Sequence, residues 1–238
     1  MFGFDIGSMV ITALTTMIGG LISSRLKSKF EHYSQIPMSN GMSGKEIAET
    51  MLRQNGITDV QVVSVPGSLS DHYNPMDKTV NLSPDVFAGR SIAAAAVAAH
   101  ECGHAVQHAE AYSMLTLRST IVPVVNIAST GLQYLMGISF MLMMSMPKLG
   151  YWAMLLTVIA FAMTTLFSFV TLPVEFDASN RALKWLESSN ITHGEEQAGA
   201  KDALWWAAMT YVSAALSSLI MLLYLLMRLL NASNRNNQ

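Results

Sequence analysis

Cysteine is nearly absent. Cys102 is the single one among 238 residues, so no intrachain disulfide can form and nothing signals an oxidising compartment. Charge is scarce as well. Asp, Glu, Lys and Arg make up 13% of the chain, about half the share usual for a soluble domain. The net charge of -2 leaves no excess of basic residues, which argues against nucleic acid as a partner. Met1 to Gly7 holds neither Lys nor Arg, so the positively charged start of a secretory signal is missing. There is no internal repeat and no low-complexity tract.

Apolar residues fill the gap: 51% of the chain is hydrophobic. Four stretches are long enough to cross a bilayer. They run from about Ile6 to Ser24, Ile121 to Met146, Tyr151 to Leu172 and Trp205 to Leu230. Met146 to Gly150 is expected as a tight turn between the second and third. Arg25, Lys27 and Lys29 follow the first stretch, which predicts a retained anchor rather than a cleaved leader. Arg118, Arg181, Lys184 and Lys201 lie on the same side as those three, against Lys148, Arg228 and Arg235 on the other. The positive-inside rule then places both polar segments in the cytoplasm and both termini outside. Spans two to four hold no carboxylate or lysine, which argues against coupled transport. The methionines of span two, Met136, Met141, Met143, Met144 and Met146, read as packing residues.

The expected fold class is a mainly α, polytopic membrane protein of about four transmembrane helices with a small α+β catalytic domain. Residues 1–26 are the anchor and 27–118 the cytoplasmic α+β domain. Residues 119–173 are a two-span hairpin, 174–204 a cytoplasmic helical segment, 205–230 the fourth span and 231–238 a polar, frayed tail. Within 27–118, Ser43-Gly44-Lys45-Glu46 is a capping box opening a helix that Asn55-Gly56 ends. Val60 to Val65 reads as a strand, and His72 to Leu82 as strand, turn and strand. Together they predict a small antiparallel sheet.

After that sheet comes His100-Glu101-Cys102-Gly103-His104. H-E-x-x-H on a helix puts two imidazoles one turn apart on one face, with a glutamate beside them to work on water at the metal. The preceding run, Ser91 to Ala99, is strongly helix-forming, with Ser91 as N-cap. Glu101 falls about 100° from His100 and about 60° from His104 around the helix, flanking a metal without ligating it. Cys102 falls about 200° from His100 and is expected to face away as a small packing residue.

A catalytic zinc takes three protein ligands. His108 lies about 12 Å from His100 along a straight helix, too far to share a tetrahedral ion. Glu175 follows an apolar span, on a helix, and an even number of spans returns it to the side of the histidines. On spacing alone it reads equally well as a ligand and as an ordinary first-turn glutamate.

A resemblance tips that balance. Asp71-His72-Tyr73-Asn74-Pro75, Gly89 to Ala94, His100 to His108 and Leu172 to Asn180 closely resemble the bacterial YugP-like neutral zinc metallopeptidases over nearly the whole chain. The likeness implies a zincin-like (gluzincin) membrane metalloprotease in the bacterial inner membrane, distantly related to HtpX-type and CAAX-processing proteases. It implies Zn2+ held by His100, His104 and Glu175. In those relatives the third ligand opens a Glu-x-x-Ala-Asp stretch; here Ser179 stands in place of the aspartate. Ser179, Asn180 or Asp177 is then expected to support a metal-bound histidine.

The function expected is hydrolysis of peptide bonds in membrane or membrane-proximal proteins by zinc-activated water, with Glu101 as general base. The partners are a peptide or protein substrate and the lipid bilayer. His72, Arg181 and His193 are candidates for stabilising the oxyanion, and the strand around Thr79 to Leu82 for adding extended peptide at its edge. The competing reading is a zinc-bearing membrane adaptor that no longer cuts.

Overall fold

The structure is a computed structural model and describes residues 6–236. Its elements in order are α1 (Ile6–Ser34), α2 (Gly44–Gln54), β1 (Gln61–Ser64), β2 (His72–Asn74), β3 (Thr79–Leu82) and α3 (Pro84–Phe87). Then follow α4 (Ile92–Ala109), α5 (Ser113–Ser145), α6 (Pro147–Ser188) and α7 (Glu195–Asn236). The protein is mostly helical with one small sheet. Two compact units share it. One comprises Ile22–Thr116 and Leu172–Thr210. The other comprises the described residues of Met1–Leu21, Leu117–Thr171 and Tyr211–Gln238.

Among the described residues three helices, α1, α6 and α7, are long and apolar enough to cross a membrane. In α5, Ser113–Leu132 and Tyr134–Ser145 meet at a 47° bend and make a fourth span if the pair is taken as one. In the apolar unit large side chains face outward: Met9, Met17, Ile127, Met144 and Trp152 are all more than half exposed. Such a surface suits lipid. Its interior is a cluster of Phe140, Met154, Val158, Met221, Leu225 and Leu229. The turn expected over Met146 to Gly150 is shorter than that. Pro147 is already the first residue of α6, where its missing N–H costs nothing. A Cβ on Gly150 would lie 2.4 Å from the Met143 nitrogen, so glycine is what lets the two helices meet there.

Pro173 sits inside α6, which continues through it to Ser188. Proline removes a helix hydrogen bond, a loss that long membrane helices tolerate. The tail departs from expectation too. α7 is helical through Asn236 rather than frayed, while Asn237 and Gln238, like residues 1–5 of the anchor, lie outside the described residues.

The other unit is built around α4. Ser91 caps it by accepting from the Ala94 N–H. The alanines read as helix formers also serve packing. Ala93, Ala94, Ala95, Ala96, Ala98 and Ala99 are all at most 2% exposed, so α4 is covered on nearly every side and small side chains let its neighbours come close. The capping box on α2 forms as expected, Ser43 and Glu46 bonding reciprocally. Gly56, with φ +71, ends that region in the left-handed conformation glycine favours. The sheet is mixed, not antiparallel: its order is β1-β3-β2, with β1 parallel and β2 antiparallel to β3. β3 is therefore the central strand, and both of its edges are occupied. The expectation that extended peptide adds at Thr79 to Leu82 is thereby overturned. Tyr33 donates to Asp202, Lys29 pairs with the same carboxylate, and the Trp185 indole donates to Gln54. These contacts fasten α1, α7, α6 and α2 within the unit.

Candidate metal centre

His100 and His104 lie one turn apart on α4, with ring centroids 4.8 Å apart and nearly perpendicular. Across from them α6 presents Glu175. Its Oε2 is 3.4 Å from His100 Nε2 and 3.6 Å from His104 Nε2. One ligand atom from each residue fits within a span of 4.8 Å. A tetrahedral ion with bonds of about 2.1 Å holds its ligand atoms about 3.4 Å apart, so these separations fit zinc. Glu175 is 3% exposed; a carboxylate that deep needs a partner.

The helices can meet here because of Gly103. A Cβ at that position would come 2.6 Å from the Ala178 carbonyl oxygen. Ala178 is itself wholly buried. Gly103 and Ala178 are thus the crossing point, with His100 and His104 on one helix and Glu175 and Ser179 on the other arranged around it. Sequence reading singled out neither as structural, although two small residues within metal-ligating motifs were a usable signal.

The outer nitrogens of the histidines are also engaged. Ser179 Oγ is 3.1 Å from His100 Nδ1. Gln107 Oε1 is 3.0 Å from His104 Nδ1. Gln107 went unremarked as a site residue in the sequence; its position three residues past His104, on the same helical face, was the available clue. Asp177 does not touch a histidine. It accepts from Gln107 at 2.8 Å and from Arg181 Nε at 2.5 Å, and Arg181 reaches Glu110 at 2.6 Å. Arg181 is thus committed to carboxylates.

Glu101 is 8% exposed, and among the described residues no hydrogen bond or ion pair engages its carboxylate. Burial alone would lower the affinity of His104 for a proton. The Glu175 carboxylate beside it and the Glu101 charge outweigh burial and raise it above the ordinary imidazole value. Cys102 is buried with its thiol against the Ala48 carbonyl, and burial pushes its pKa well up. It stays a packing thiol.

The remaining candidates lie apart. His72 is exposed on β2, with Nδ1 2.7 Å from the Ser70 carbonyl. His193 and Asn180 are exposed. His108 pairs with the Tyr73 hydroxyl at 2.9 Å instead of joining the cluster.

Apolar helices and a largely enclosed two-histidine, one-glutamate group that could hold a metal ion are the features of a membrane metalloprotein. Comparison with known proteins carries this further. Residues 8–230 match the model of the family described as "Putative neutral zinc metallopeptidase", and the chain belongs to that family. It is also 44% identical over 212 residues to the "Putative membrane protease YugP" of Bacillus subtilis (strain 168), covering 89% of this chain and 92% of that protein. No solved structure matches the chain. Zinc is the family's metal, and His100, His104 and Glu175 form a group that could bind it.

Proposed function

We propose that the protein is a zinc-dependent endopeptidase of gluzincin type, with His100, His104 and Glu175 as the ligands and Glu101 as general base. The observation that carries this reading is the separation of 3.4 and 3.6 Å between the Glu175 oxygen and the two Nε2 atoms, the edge length of a zinc tetrahedron. The chemistry a zinc ion supplies in such a site is Lewis acidity toward water and a scissile carbonyl. Glu101 takes the proton from the attacking water and passes it to the leaving amine. Among the described residues no hydrogen bond or ion pair occupies its carboxylate. Ser179 supports His100, standing where distant relatives carry aspartate.

The substrate class is a peptide segment of a membrane or membrane-proximal protein, because Glu175 lies on the same continuous helix as an apolar span. The charge pattern of the loops favours a site on the cytoplasmic face of a bacterial inner membrane. The domain divisions follow that topology: an anchor over 1–26, a catalytic domain over 27–118, a hairpin over 119–173, a returning helical segment over 174–204 and a last span over 205–230.

The test of activity is turnover of an unfolded protein by the purified chain in detergent. Chelator should abolish it and zinc restore it; turnover indifferent to chelator would reject the reading. Membranes from cells with the wild type and with Glu101→Gln, compared by proteomics, should show substrates accumulating in the variant. For sidedness, Ser70→Cys in a Cys102→Ala background should be shielded from an impermeant thiol reagent in intact cells. Labelling of that cysteine would invert the topology.

A further inference from the structure

We propose that Gln107 is a positioning residue of the metal centre: its carboxamide fixes the tautomer of His104 and ties that histidine to the helix carrying Glu175. The proposal rests on the reading of His100, His104 and Glu175 as ligands.

Gln107 has no exposed surface, and a buried carboxamide is costly unless its donors and acceptor are used. All are. Nε2 donates to the Val174 carbonyl at 2.8 Å and to Asp177 Oδ2 at 2.8 Å, while Oε1 faces His104 Nδ1 at 3.0 Å. The orientation of the amide follows from chemistry. A carbonyl and a carboxylate only accept, so the NH2 group must point at them. Arg181 donates to the same Asp177 oxygen, which thus acts as an acceptor on both sides. The amide oxygen is then left for His104. It can only accept, so His104 must carry its hydrogen on Nδ1. The lone pair of the neutral ring then sits on Nε2, the atom 3.6 Å from Glu175.

His100 is held differently. Its Nδ1 meets the Ser179 hydroxyl, which can donate or accept and so dictates no tautomer. The fixed half of the centre is the His104 half. Gln107 also bonds the carbonyl of Val174, the residue just before Glu175. One side chain thereby sets the ring of one ligand and the helix position of another.

The experiment uses the full-length protein. In zinc-loaded protein with labelled histidine, nitrogen NMR should find metal on His104 Nε2 and hydrogen on Nδ1; metal on Nδ1 would overturn the proposal. Gln107→Leu removes all three bonds at similar volume. It should weaken zinc binding by about 10–100-fold in chelator competition, the usual cost of losing such a support. Gln107→Glu keeps an acceptor for His104 but sets an oxygen against Val174 and Asp177, and should lose a similar amount. Adding Asp177→Asn to Gln107→Glu supplies a donor facing that oxygen and should recover most of the loss, which a merely space-filling role would not. Zinc binding by Gln107→Leu within about threefold of wild type, against that expected loss, would overturn the proposal, as would no recovery in the double variant. If Gln107→Leu fails to fold, the double variant and the NMR of the unsubstituted protein decide. His104→Ala separates the two levels. Retained zinc in His104→Ala would reject the ligand set itself. Zinc lost there but kept in Gln107→Leu would reject only the role of Gln107.

Discussion

The two units of this protein keep themselves together by opposite means. The apolar unit exposes its large side chains, Ile127, Met144 and Trp152 among them, and buries a modest cluster around Met154 and Leu225. The unit around α4 buries its smallest residues, the alanines of 93–99 with Gly103 and Ala178, and sets polar groups among them, with Gln107 bonded to His104 and Asp177, and Ser179 to His100. Where lipid is the solvent, many apolar side chains serve equally well. Where two helices must cross at backbone distance to bring three ligand atoms together, almost no substitution is neutral.

The sharpest way to break that contrast is at Glu101. Glu101→Gln changes little volume, yet hydrolysis should fall by at least about a hundredfold, the scale of general acid–base help. Zinc content should be unchanged, as measured by elemental analysis. Activity within a few-fold of wild type at full zinc occupancy would remove Glu101 from the mechanism.

Gly103→Ala comes next. The added Cβ meets the Ala178 carbonyl at 2.6 Å, and overpacking of this kind costs about 1–3 kcal/mol. Denaturant unfolding should register that loss, and zinc affinity should drop with it because the ligands sit on either side of the crossing. Unchanged stability would mean the helices do not need that closeness.

A smaller effect is expected at Ser179. Ser179→Ala removes the partner of His100 Nδ1 and should weaken zinc about tenfold in chelator competition. Ser179→Asp should bind zinc at least as tightly as wild type, since a carboxylate is the stronger acceptor.

Smallest of all is Met144→Leu in the apolar unit. Met144 is 84% exposed, and the change should shift stability by less than about 0.5 kcal/mol. A larger loss would show that this surface is packed against something specific, and the contrast between the units would weaken.

The same contrast explains what could be read from the sequence. The Ser91 cap, the capping box and the H-E-x-x-H helix were legible because each is local: a few side chains bonding their own backbone. The meeting of Glu175 with the histidines was legible because a resemblance supplied what spacing left undecided. Three things were not. Parallel pairing of β1 with β3 leaves no mark on either strand, so β3 was misread as an edge. Gln107 reads as an ordinary polar helix residue until α6 crosses over it. The alanine run signals helix propensity, and only the neighbours packed around α4 reveal that size mattered as much.

The most direct measurement is zinc per protein, by elemental analysis after purification with limiting metal, in wild type, Glu175→Ala and His108→Ala. Wild type and His108→Ala should hold one zinc, and Glu175→Ala should hold little. A Glu175→Ala protein that keeps one tightly held zinc, with His108→Ala losing it, would contradict a centre shared between α4 and α6 and would place the metal on α4 alone.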